Sequence, residues 1–143
     1  MSKKVLVIAN ETCAGRELLD TLKEHAAGAE VLVVAPALNS RLRHILADVD
    51  KAREAAEERL TASIAELRGI GIEARGAVGD SDPVRATEDA LAEFEADEIV
   101  VSTHPEKRSN WLEKGVVERI TQKFQLPVTH VVVDLEREAA AAR

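Results

Sequence analysis

The chain has 143 residues, of which 45% are hydrophobic and only 2% aromatic, and its formal net charge is -7. That length fits one domain with a core of Val, Ile, Leu and Ala, and a negative balance without a basic block argues against nucleic acid or an anionic membrane as partner. The single Cys13 excludes an intramolecular disulfide framework and a cysteine-based zinc site, and no apolar run is long enough to span a membrane. The opening MSKKVLVIAN sets lysines before an apolar run of about five residues, too short for a secretory core, so it reads as a first strand and the protein as cytoplasmic.

Lys4 to Ala9 is continuous and β-branched, the pattern of a strand buried on both faces. A helix follows over Ala14 to Ala27, with Leu18, Leu19 and Leu22 on one side and a stop at Gly28. Ala29 to Ala35 is a second buried strand, ended by Pro36. Asn39 to Ala47 suggests a short helical piece, and Asp48 to Arg68 a long helix whose Val49, Ala52, Ala56, Leu60, Ile64 and Leu67 form one stripe. Ile72 to Val78 alternates and reads as an edge strand. In Gly79-Asp80-Ser81-Asp82-Pro83, Ser81 or Asp82 caps a helix and Pro83 sits in its first turn.

That third helix runs to Glu95, with Val84, Ala90, Leu91 and Phe94 inward. Glu98 to Ser102 is a fourth buried strand, which breaks into a polar loop, Ser102 to Asn110, carrying Lys107 and Arg108. A fourth helix spans Trp111 to Phe124, with Leu112, Val116, Val117 and Ile120 inward, and Pro127 to Leu135 is the fifth strand. Alternation of this kind predicts an α/β fold, a parallel sheet with helices on both faces, over a single domain at 1–135, with 136–143 as a short tail. A strand that feeds a polar loop and then a helix N-terminus suits an anionic ligand.

The residues after the fourth strand resemble the universal stress protein family, whose nucleotide motif is G-x2-G-x9-G-[ST]. Its spacing falls here on Ser102, Pro105 and Gly115-Val116. Gly79 to Pro83 is similar to the family's G-x-P helix start, Gly115 to Ile120 to its G-S-V-x-E-R-V block, and Pro127 to Val133 to its P-V-x-V-V ending. The resemblance implies a three-layer α/β/α domain with strand order 3-2-1-4-5, and ATP or AMP with Mg²⁺ in the crevice between the first and fourth strands. The residues at that crevice would be Asn10, Glu11 and Thr12, then Ala35 and Pro36, then Ser102, Thr103, His104 and Pro105, with Arg108, Gly115 and Val116 completing the site.

Only the third motif glycine, Gly115, is retained. Ser102 adds a side chain where the backbone must approach phosphate, Pro105 removes an N–H donor, and Val116 replaces a hydroxyl. Position 10 or 11, usually acidic in the family, is Asn10 or Glu11. The chain therefore leans toward the members that lack ATP binding: a regulatory or binding module with weak or lost affinity and no catalytic residue. The alternative is a slow ATPase or transferase whose phosphate site is rebuilt from Arg108, Lys107, Ser109 and His104, Arg108 gripping phosphate with its fork. Against it, Lys107 and Arg108 read rather as solvated loop charges and His104 as a polar loop histidine. His25 and His44 read as helix-surface residues, Cys13 as a small residue filling a turn, and Trp111 as a cover over the loop or core.

No G-x4-G-K-[ST], H-x-G-H, S-G-G-x-D-S or G-x-S-x-G signature is present. In the implied strand order the fifth strand is a sheet edge. Its Val128, His130, Val131, Val132 and Val133 form a long edge without lysine or proline, a liability unless paired. The family commonly dimerises through this strand, so a homodimer is expected.

Overall fold

The computed structural model describes residues 3–9, 16–25, 28–38, 46–80, 82–103 and 115–133. The five apolar runs form β1 (Lys4–Ile8), β2 (Glu30–Leu38), β3 (Glu73–Asp80), β4 (Glu98–Thr103) and β5 (Val128–Val132). They build one sheet of order β3-β2-β1-β4-β5 in which every pair is parallel. The expected edge position of β3 and the central position of β1 and β4 follow directly.

The helices are α1 (Arg16–His25), α2 (Leu46–Gly69), α3 (Pro83–Glu93) and α4 (Val116–Phe124). Because strand side chains alternate between faces, the central strands feed two cores. Val5, Val7, Val31, Val33 and Val100 meet Leu18 and Leu22 of α1 and Leu60 and Leu67 of α2 on one side. Leu6, Ile8, Val34, Ile99 and Val101 meet Val84, Ala86 and Phe94 from the third helical segment and Val116 and Ile120 of α4 on the other. The result is a three-layer α/β/α domain. Ser63, between Leu60 and Leu67, is buried as well, a polar member the apolar stripe of α2 did not reveal.

Several boundaries differ from the sequence expectation. The second strand does not stop before Pro36 but continues through it to Leu38, with Pro36 opposite Gly79 and a register shift before Leu38. The last β1–β2 pair is Ile8 with Val34, so beyond it no described strand lies along that flank of β2, and a residue without an N–H is tolerated there. The third strand likewise takes in Gly79 and Asp80, which therefore belong to the sheet and not to the helix start. Asp82 is the cap of α3: its carboxylate accepts from the Val84 N–H at 3.0 Å, and Pro83 follows in the first turn. The third helix ends at Glu93 with Phe94 as its C-cap.

The long helix begins at Leu46, so residues 46–47 belong to it and not to a separate helical piece; 39–45 lie outside the described residues. Helix α4 is described from Val116, and the expected start at Trp111 and the inward Leu112 lie outside the described residues. The fifth strand is described as Val128–Val132, and the expected continuation to Leu135 beyond Val133 lies outside the described residues.

Candidate functional site

In this strand order the connection from β1 leads to β2 and that from β4 leads to β5, in opposite directions across the sheet. Such a switch point opens a crevice at the C-terminal ends of the two strands. Ile8 and Val101 are the last β1–β4 pair. Just beyond them the Ala9 N–H donates to the Val34 carbonyl at 3.0 Å, which ties the end of β1 to β2.

Beyond Val101, β4 continues for two residues that pair with β5. Ser102 lies opposite Val131 and Thr103 opposite Val132, and the Val133 N–H donates to the Thr103 carbonyl at 2.8 Å. Ser102 and Thr103 are therefore strand residues and are 1% and 2% exposed; Ser102 closes the strand expected from the sequence, whereas Thr103, expected in the polar loop, extends it. Alternation sends Ser102 to the side of Val100 and α1, and Thr103 to the side of Val101 and α4. Ala35 and Pro36 are buried in β2, opposite Val78 and Gly79.

Gly115 is the N-cap of α4 and adopts φ 63°, a left-handed conformation that explains why glycine is kept there. Val116, in the next position, is buried in the core beneath α3 and α4 and offers no hydroxyl. Glu118 stands in the first turn, and a Cβ placed on Gly115 would lie 3.5 Å from its Oε2. A carboxylate thus leans over the positive end of the helix. Asn10, Glu11, Thr12, His104, Pro105, Lys107, Arg108 and Ser109 lie outside the described residues. Among the described residues no group of three or more His, Cys, Asp or Glu could hold a metal ion.

One contact at the crevice went unread in the sequence. Thr103 Oγ1 and His130 Nε2 are 2.7 Å apart. Partial burial holds the His130 imidazole below its ordinary pKa, and the Glu118 carboxylate acts weakly in the opposite sense. The pairing is visible only once the β4–β5 register puts both side chains on the α4 face; no local motif signals it.

No sequence model of a protein family matches the chain, and no curated protein matches it in sequence. Solved structures do resemble it. A universal stress protein from Archaeoglobus fulgidus superposes with a TM-score of 0.66 at 20% identity over 92% of this chain and 94% of the other. An Arabidopsis thaliana universal stress protein family member with AMP bound gives 0.65 at 14% identity, over 94% of each chain. An Archaeoglobus fulgidus universal stress protein in complex with dAMP gives 0.60 at 18%, over 92% of this chain and 98% of the other. With the sheet order and the crevice at β1 and β4, this likeness establishes that the chain has the universal stress protein fold.

Proposed function

We propose that the protein is a cytoplasmic, stress-responsive regulatory or binding module of the universal stress protein type, with weak or lost ATP affinity at the β1–β4 crevice. Solved structures of the same fold hold AMP and dAMP, so an adenine nucleotide is the ligand class to test. The observation that carries the loss is the state of the α4 N-terminus. There the Glu118 carboxylate leans toward Gly115 and Val116 is packed in the core. A negative side chain in the first turn satisfies the helix dipole and repels a phosphate that would use it. Ser102, buried in the strand where the motif calls for glycine, adds bulk at the mouth.

The same reading makes the module a homodimer through β5. Of the two sheet edges, β3 carries Glu73, Arg75 and Asp80, whereas Val128–Val132 contains no carboxylate, Lys or Arg. Two copies of a chain with net charge -7 repel one another broadly. An uncharged edge with Val132 46% exposed is the strand that two copies can share at least electrostatic cost. Among the described residues no helix is long and apolar enough to cross a membrane.

Calorimetric titration with ATP and with AMP, each with Mg²⁺, tests the ligand reading. The expected result is a Kd no tighter than about 100 μM; sub-micromolar binding of ATP overturns it.

A further inference from the structure

The middle residue of β5 is a histidine, and we propose that it makes the contact between two copies proton-sensitive: neutral His130 supports the β5 pairing, and protonated His130 opens it. This rests on the dimer reading above. The reason is symmetry. Two copies pairing one strand isologously do so about a two-fold axis, and an axis that uses all of Val128–Val132 passes through His130. Each His130 then lies directly opposite its counterpart on the same face. Cβ atoms of such pairs are about 4.5–5.5 Å apart, and like charges there are destabilising.

Among the described residues, little around His130 offsets a second charge. Within β5 its neighbours are Thr129 and Val131, with Val128 and Val132 sharing its face. From β4 it meets the Thr103 hydroxyl, which is neutral and buried. From the described residues of α4 the Glu118 carboxylate acts on it through space. Among the described residues, α1 also packs on β5 and covers the opposite face of the sheet. Among the described residues, one carboxylate per copy therefore stands against an imidazolium facing another imidazolium. Pairing also removes water from a ring that partial burial already keeps toward its neutral form.

The separated copies bind protons more readily than the dimer, so lowering the pH through the His130 pKa, below 6.5, drives dissociation. This direction is distinctive. Acidification from pH 7 toward the sequence pI of about 5.2 reduces the overall repulsion of a chain with net charge -7, and that alone would tighten association.

Sedimentation velocity over a concentration series of the full 143-residue chain, at about pH 7.5 and about pH 5.8, tests this with His130→Gln as the comparison. The dimer Kd of the wild type is expected to weaken measurably at the lower pH, while His130→Gln dimerises without that weakening. A wild-type dimer equally tight at both values, or the same weakening in His130→Gln, overturns the proton switch and leaves the dimer standing. A wild type that is monomeric at both values overturns the dimer and the switch together. NMR titration of the His130 ring in the wild type above and below the dimer Kd is the second measurement: a pKa lower in the dimer supports the proposal, and equal values overturn it.

Discussion

Lys3 Nζ lies 3.1 Å from Glu98 Oε2 at the foot of β1 and β4, while Glu98 Oε1, on a residue only 8% exposed, has no hydrogen-bond partner among the described residues. Glu98 starts β4 opposite Val5 and shares its face with Val100. A buried acceptor left unmade costs about 1–3 kcal/mol, and an ion pair whose lysine is half in water returns less than that. Glu98→Val, which suits a buried strand, is therefore expected to be neutral or to raise the denaturant midpoint, and Lys3→Ala to lower it. A Glu98→Val variant that unfolds well below the wild type contradicts this.

Two glycines in β3 differ in what surrounds them, so their alanine variants should separate. A Cβ on Gly79 would meet Val34 Cγ1 at 3.0 Å, Ala86 Cβ at 3.1 Å and Ala86 Cα at 3.7 Å. None of these atoms can swing away, because they join β2 and α3 at close approach. Gly79→Ala is expected to cost about 1–3 kcal/mol. Above Gly76 the contacts are the Ile64 side-chain tip and Leu60, whose Cδ2 lies 3.3 Å away. Those ends can rotate, and alanine also restricts the unfolded chain, so Gly76→Ala is expected to fall within about 1 kcal/mol of the wild type. Urea denaturation of the two variants side by side reads the difference.

Much of the architecture was legible because the informative residues act locally. Val5 to Ile8 are apolar on both faces and are wholly buried; Gly28 adopts φ 76° past the end of α1; Asp82 and Pro83 start α3 through a cap that needs only its own backbone. What the sequence concealed depends on neighbours in space. Pro36 continues a strand because β1 ends beside it, and Thr103 belongs to β4 because β5 holds it there. The Thr103–His130 contact needs a register that no run of residues reports. The crevice was legible as a place, through the strand order, whereas the Glu118 side chain over Gly115 came into view only with the helix start in three dimensions.

If the state of the α4 N-terminus limits nucleotide affinity, restoring it should raise that affinity. Glu118→Gln removes the competing charge, Val116→Ser returns a hydroxyl next to Gly115, and Ser102→Gly thins the mouth of the crevice. The combined variant is expected to bind AMP at least about tenfold more tightly than the wild type, since charge-assisted contacts and the helix end each contribute about 1 kcal/mol or more. Calorimetry with AMP and Mg²⁺ measures it, with the far-UV spectrum checking that α4 survives. Unchanged weak binding in a folded variant assigns the loss to other residues of the crevice.

The partial burial of His130 also sets a pH dependence of folding, separate from association and measurable at concentrations where the chain is monomeric. The folded state holds His130 below its ordinary 6.5, so the unfolded chain takes up the proton first as the pH falls. Stability associated with neutral His130 is present above 6.5 and is lost as the pH drops through the lowered folded value. In His130→Gln that slope disappears, so wild type and variant should converge on acidification. Thr103→Val keeps the volume but removes the 2.7 Å contact, and is expected to cost about 0.5–1.5 kcal/mol at neutral pH. It should cost less in acid, where protonated His130 no longer accepts from the hydroxyl. Equal destabilisation by Thr103→Val at both pH values would show that the hydroxyl does not donate to a neutral imidazole.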